Sequence, residues 1–322
     1  MVQLIHVLDT RLTLRIRAPL EDGIDNDLMI LLAAQQRNLV HISIGPLRDN
    51  AYNLIDALKP WPPSVETIVV PWKLLSTRDF TFYHELIERS RNRLKALTIR
   101  VNDFAWVDSR ADKGQVCEDL ARGLFGHDKK HKYNKAPLEL RDINFQNQDL
   151  GAFDETWRHY IDFAGLRTIQ IWNCSYPDSM LDCLINLAKS QPLRLEGLVL
   201  SFEDAVDSPW LAHDFLESIS GLRYINLCFK PVISEMPFRF SCLSDHVVTI
   251  QDLYLGIGTN DSVHSVDTET LWTPYITQIA WLAKRSRNLR QLAIAMPKLR
   301  LDDALAGRWG QYLEYLVGML TF

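Results

Sequence analysis

The feature that most constrains this chain is a spacing. A six-residue window, apolar at its first, fourth and sixth places, recurs nine times: Leu39/Ile42/Ile44, Val65/Ile68/Val70, Leu94/Leu97/Ile99, Leu140/Ile143/Phe145, Leu166/Ile169/Ile171, Leu195/Leu198/Leu200, Leu222/Ile225/Leu227, Ile250/Leu253/Leu255 and Leu289/Leu292/Ile294. Arg11/Leu14/Ile16 reads as a worn tenth copy. In a chain this apolar, such a window arises by chance on the order of ten times, so the hexad alone carries little. The distances between successive first places are 26, 29, 46, 26, 29, 27, 28 and 39 residues. Six of the eight fall within 26–29, an evenness that coincidence does not produce and that marks one unit repeated along the chain.

What lies between the hexads supports the same unit. Asp27 to Gln36, Arg78 to Arg91, Asp178 to Ser190, Pro209 to Ser218 and Thr270 to Arg287 place apolar residues at helical spacing, with Met180, Leu181, Leu184, Leu187 and Ala188 on one face. Pro177 and Pro209 stand where a first helical turn tolerates proline. Several hexads are entered through similar runs, such as Arg37-Asn38-Leu39, Gly165-Leu166-Arg167, Gly221-Leu222-Arg223 and Asn288-Leu289-Arg290. Asn or Gly there suits a left-handed helix stop, and a nearby Arg suits the negative end of the helix dipole. Each repeat therefore reads as helix, tight turn, short strand. One strand and one helix cannot bury their own apolar faces, whereas stacked copies form a continuous core under a parallel sheet.

These residues resemble those of irregular leucine-rich-repeat proteins, especially the repeat regions of fungal F-box-type proteins, over roughly Leu39 to Leu299. The resemblance implies an α/β leucine-rich-repeat solenoid: a curved horseshoe with the parallel sheet on its concave side and helices on its convex side. The expected organisation is a single array over 1–322, with insertions near 102–137 and 258–268 accounting for the two long intervals. The family's ninth-place Asn or Cys is matched by Asn102 and Cys174, while Glu203, Lys230, Gly258 and Pro297 occupy that place in other copies. The resemblance also implies a substrate-recognition region of an F-box-like ubiquitin-ligase adaptor, with ligase components as partners. Met1 to Ala18 reads as strand, however, where an F-box would begin with a Leu-Pro helical start.

Composition narrows the classes. A hydrophobic content of 47% can build a large core, and 35 Lys+Arg against 40 Asp+Glu give a net charge of -5, which disfavours nucleic acid and membrane surfaces as partners. No stretch has the apolar length of a membrane span, and Met1 to Leu8 lacks the basic flank of a signal peptide. Five scattered cysteines, Cys117, Cys174, Cys183, Cys228 and Cys242, form neither a zinc spacing nor a disulfide framework, so an intracellular, cytoplasmic or nuclear setting is expected. Asp302 to Leu320 reads as a further repeat helix with no hexad after it.

Patterns that would carry chemistry are incomplete. His84-Glu85 begins like a zinc-protease helix, yet Glu88 stands where the second histidine belongs, and the reading is a helix surface. Gly256-Ile257-Gly258 lacks the third glycine of a dinucleotide loop and opens no helix. The basic run His127-Asp128-Lys129-Lys130-His131-Lys132-Tyr133-Asn134-Lys135 sits in the first insertion. It reads as a solvated loop, with a charged partner-binding loop or a metal pair as alternatives. No cofactor or metal is implied, and no residue requires catalysis.

If places one, four and six point into the core, the remaining places form the opposite face of the sheet. Place two reads mainly basic, with Arg141, Arg167, Arg223 and Arg290 among its members, and place eight reads mainly apolar, with Trp72, Phe202 and Phe229. Trp172 at place seven, Tyr224 at place three and Tyr254 at place five complete an expected aromatic patch. The candidate partner-binding residues are therefore Trp72, Arg141, Arg167, Trp172, Phe202, Arg223, Tyr224, Phe229 and Tyr254, a composition typical of interaction hot spots. The leading reading is a non-catalytic scaffold for a protein partner. The alternatives are a structural repeat region of a larger protein and an enzyme whose site is built from insertion loops.

Overall fold

The computed structural model describes residues 2–5, 12–16, 39–44, 65–72, 77–101, 121, 123–126, 135–148, 150–151, 153–202, 208–229, 239–257, 278, 281–282 and 284–294. The chain is α/β and forms two compact units, Met1–Leu166 and Arg167–Phe322. In the first, strands β1 (Val2–Ile5), β2 (Leu12–Ile16), β3 (Leu39–Ile44), β4 (Thr67–Trp72), β5 (Ala96–Val101) and β6 (Asp142–Gln146) lie side by side in chain order. The pair β1/β2 is antiparallel, and from β2 onward every pairing is parallel. Helix α1 (Thr77–Ser90) joins β4 to β5. In the second unit β7 (Thr168–Cys174), β8 (Gly197–Phe202), β9 (Tyr224–Phe229), β10 (Asp252–Ile257) and β11 (Gln291–Ile294) are again parallel and sequential, with α2 (Asp178–Ser190) and α3 (Ser208–Ser218) as connections.

The hexads set the register. Their fourth places face one another strand by strand: Ile42, Ile68, Leu97 and Ile143 in the first unit, and Ile169, Leu198, Ile225, Leu253 and Leu292 in the second. Leu14 pairs with Ile42, which puts the worn copy in the same register. First, fourth and sixth places are buried in every hexad from Val65 to Leu255, and the places between them are mostly half-buried or exposed. Strand β8 departs from this alternation, since Gly197, Val199 and Ser201 are buried as well.

A second regularity lies in the backbone just before β5, β6 and β8 to β11. The place-two carbonyl accepts the place-two and place-three N–H groups of the next repeat: Glu66 from Lys95 and Ala96, Lys95 from Arg141 and Asp142, Arg167 from Glu196 and Gly197, Glu196 from Arg223 and Tyr224, Arg223 from Gln251 and Asp252, Gln251 from Arg290 and Gln291. These bonds satisfy backbone groups at the strand entrance that would otherwise be left without partners. Helices α1, α2 and α3 follow the expected spans within about a residue, the boundary uncertainty usual for helices, and α2 buries Met180, Leu181, Cys183, Leu184, Ile185 and Leu187. The expected helix at Asp27 to Gln36 lies outside the described residues.

Where the sequence shows no helical spacing, the first unit packs aromatic rings instead. Two 3-10 turns, Glu155–His159 and Phe163–Gly165, carry Trp157 and Phe163, and the Asp162 carboxylate accepts from Ala164 N at 3.1 Å. Trp157 stacks on Phe153 at 4.9 Å and meets Phe145 and Phe125 edge-on at 5.8 and 5.9 Å. Phe125 in turn stacks on Tyr160 at 5.0 Å. Each such pair adds about 0.5–1.5 kcal/mol beyond the area it buries.

Phe125 belongs to the first insertion, whose described parts are docked on α1. Ala121, Leu124 and Phe125 are buried, and His84 Nδ1 donates to the Leu124 carbonyl at 3.0 Å. His84 thus anchors the insertion, which corrects its reading as a plain helix surface. Gly126 has φ +70°, and a Cβ there would lie 2.6 Å from the His84 ring, so glycine is required on both counts. At the other end Lys135 binds Glu88 at 2.6 Å, Arg91 binds Glu88 at 2.7 Å, and Arg91 also donates to the Ala136 carbonyl. Burial pushes the Glu88 pKa upward, but the hydrogen bonds from Arg91 and Lys135 outweigh it and hold the carboxyl below its ordinary range. Of the basic run 127–135 only Lys135 falls within the described residues, and the second insertion lies outside them.

In the second unit β9 and β10 are joined through a 3-10 turn, Phe240–His246. His246 is fully buried. Its Nε2 donates to the Leu216 carbonyl at the end of α3 at 3.0 Å, and its Nδ1 accepts from Leu222 N at 3.3 Å, just ahead of β9. Only the neutral ring can do both. Burial lowers its pKa, against smaller upward contributions from the Leu216 bond and Asp245. Among the described residues no helix is long and apolar enough to cross a membrane.

Two outcomes follow for stability. Leu198→Ala removes a fully buried side chain at the fourth place of β8 and should cost about 2–5 kcal/mol in urea unfolding. For His246 the folded pKa lies below the unfolded one, so its contribution is complete above about pH 6.5. It declines as pH falls from there through the folded value, at up to about 1.4 kcal/mol per pH unit. Unfolding midpoints measured between neutral and mildly acidic pH should show this decline in the wild type and lose that part of it in His246→Gln.

Candidate interaction face

Four of the expected residues, Arg167, Arg223, Tyr224 and Tyr254, come together on the strands of the second unit, on the side opposite their core. Arg167, Arg223 and Arg290 are exposed, one residue ahead of β7, β9 and β11, and Glu196 and Gln251 alternate with them ahead of β8 and β10. Because the place-two backbone groups bond from strand to strand, these five positions form one row. Along it Glu196 binds Arg167 at 3.2 Å and Arg223 at 3.8 Å. All three side chains are about half exposed. Next to the row, Tyr224 and Tyr254 meet with ring centroids 5.6 Å apart. Asn226 Nδ2 donates to the Tyr224 hydroxyl at 3.5 Å, and the Tyr254 hydroxyl donates to Gln291 Oε1. These bonds order both rings at the surface, so little side-chain entropy is left to lose when something covers them.

Trp172 stands farther along β7 and is 46% exposed. Pairing between β7 and β8 breaks after Ile171 and resumes at Cys174, and Asn173 takes the left-handed conformation at φ 53°. A residue placed in such a break is re-aimed relative to the regular pleat. Asn147, at the same eighth place after β6, has φ 53° too, as suits an asparagine where most side chains would be strained. At place eight, then, the positions with described side chains are polar left-handed stops. They are the two polar members of that column, and the side chains of its apolar members lie outside the described residues.

The remaining candidates are apart from this group or outside view. Among the described residues Trp172 makes no ring contact with Tyr224 or Tyr254, and the side chains of Phe202 and Phe229, which would join them into the expected patch, lie outside the described residues. Trp72, Phe202 and Phe229 end β4, β8 and β9, with side chains outside the described set. Arg141 is exposed ahead of β6 in the first unit. Sequence reasoning missed Asn226 and Gln291, which orient the tyrosines. It also missed the exposed Trp210 on α3, whose ring carries the Arg239 guanidinium at 4.6 Å. The signal for Gln291 was present in the column logic, since it occupies the place of Tyr224 two strands away.

Chemically, the face offers donors and aromatic surface. Among the described residues no group of three or more His, Cys, Asp or Glu side chains could hold a metal ion. Cys242 is buried, and desolvation, aided by Glu217, raises its pKa well above the ordinary thiol value. It is therefore a packed thiol with little nucleophilic character.

The Arg167–Glu196–Arg223 contacts are exposed, and such pairs contribute about 0–1 kcal/mol. Glu196→Ala should therefore shift the urea midpoint by less than about 1 kcal/mol of stability, and a larger loss would show that the row is structural. Compared with known proteins, the chain matches no protein-family model, and no curated protein matches it significantly.

Proposed function

We propose that the chain is a leucine-rich-repeat solenoid, a curved horseshoe with its parallel sheet on the concave side, that serves as a non-catalytic scaffold for a protein partner. The observation that carries this reading is Trp172, left 46% exposed on a strand whose neighbouring Ile169, Ile171 and Cys174 are fully buried. A large aromatic ring held at the surface by a strand break costs solvent exposure that a partner would relieve. The sequential parallel strands, with hexads in register, support the solenoid, because that arrangement repeats one strand unit at a time. The ordered tyrosine pair and the arginine row support an interface, being residue types enriched at the centres of protein contacts. Recruitment of a substrate to a ubiquitin ligase is the version of this role that the resemblance to F-box-type repeat regions brings.

Cross-linking of the tagged chain in cells followed by mass spectrometry tests the face. Trp172→Ala/Tyr254→Ala should lose the partners captured by the wild type while keeping its circular dichroism and melting temperature. An unchanged partner set with an intact fold counts against this surface.

A further inference from the structure

We infer that the arginine row on the second unit recognises an acidic segment of the partner in the polyproline II conformation, laid across the strands with a carboxylate at every third residue. This rests on the interaction reading of the preceding subsection and names the chemistry of its partner.

The argument is one of spacing and charge. Backbone bonds place Arg167, Glu196, Arg223, Gln251 and Arg290 on successive strands at the same height. Parallel strands lie about 4.8 Å apart, so arginines on alternate strands repeat at about 10 Å. A peptide in the polyproline II conformation advances about 3.1 Å per residue and turns once every three residues, so every third side chain returns to the same face after about 9 Å, close to the repeat of the arginines. A segment with Asp or Glu at every third residue therefore meets one guanidinium per carboxylate along the whole row. The strands cannot drift out of this match, because the row is fixed by the same bonds that open each strand.

Charge points the same way. Arg167 and Arg223 share one carboxylate, that of Glu196, and Arg290 forms no ion pair among the described residues. Three arginines thus share the row with one carboxylate, that of Glu196, with Asp252 one residue beyond the row in β10, a local excess of positive charge on a chain whose net charge is -5. Tyr224 and Tyr254 border the row and supply apolar surface beneath the residues between the carboxylates. A nucleic acid fits less well: its phosphates would also meet the Glu196 and Asp252 carboxylates, and the acidic chain repels a polyanion at long range. In the segment proposed here, the uncharged residues fall opposite Glu196 and Gln251.

Fluorescence anisotropy with the whole chain tests this. The probes are short fluorescein-labelled Gly/Ser peptides carrying glutamate at every second, third or fourth residue, a lysine counterpart, and a single-stranded DNA oligonucleotide of equal charge. The third-residue peptide should bind at least about tenfold more tightly than the other peptides, equivalent to about 1.4 kcal/mol. Arg223→Glu should abolish that preference, Arg290→Ala should weaken binding, and Glu196→Gln should strengthen it. Each variant is checked by circular dichroism, and Arg290→Ala serves should Arg223→Glu fail to fold. Equal binding of all spacings, tighter binding of the DNA, or indifference to the arginine variants overturns the proposal. If those results accompany loss of cellular partners in Trp172→Ala/Tyr254→Ala, the face stands and only its acidic specificity falls; retained partners remove the face itself.

Discussion

The carbonyl that precedes each strand and is shared by two N–H groups of the next repeat is the contact on which the rest of the structure depends. It sets β4, β5 and β6 in the first unit, and β7 to β11 in the second, at the same height as their neighbours. Once that height is fixed, the hexads have no choice of partner: fourth place meets fourth place, and the apolar side chains stack into one layer. The opposite face inherits the same order. Arg167, Glu196 and Arg223 are adjacent because their backbones are, and the tyrosines of β9 and β10 touch for the same reason.

This explains why so much was legible beforehand. Apolar residues at places one, four and six carry the burial alternation of a strand in their own spacing, and the even interval between hexads carries the parallel order. Helix α2 was readable from Met180, Leu181, Leu184 and Leu187, which recur at the helical period. The stretch between β6 and β7 was not readable in that way. Phe153, Trp157, Tyr160 and Phe163 follow no single period, because 3-10 turns expose side chains to the core irregularly and the cluster closes only through Phe125 from a distant insertion. The hairpin partner of β2 was likewise visible as a strand but not as an antiparallel one, since pairing direction is not written in alternation.

The interaction face was legible in composition and less so in arrangement. Trp172, Tyr224 and Tyr254 were found from their places, yet the break in pairing after Ile171 and the left-handed Asn173 beside the tryptophan were not. Nothing in a count of places foretells a break in pairing. The histidines show a similar limit. His84 and His246 look alike as isolated residues in the sequence, but one ties an insertion to a helix and the other joins a helix end, a turn and a strand start. Their roles come from backbone carbonyls and N–H groups that no side-chain pattern records.

The interruption after Ile171 has a consequence for how this protein can change over time. Trp172 lies where the pairing of β7 with β8 is broken and is 46% exposed, so neither that register nor the buried layer fixes its side chain. Substitution there alters what the surface presents while the layer of Ile169, Ile171 and Cys174 beneath it is conserved in shape. A position released from the fold in this way is where recognition can diverge between related chains without a toll on folding.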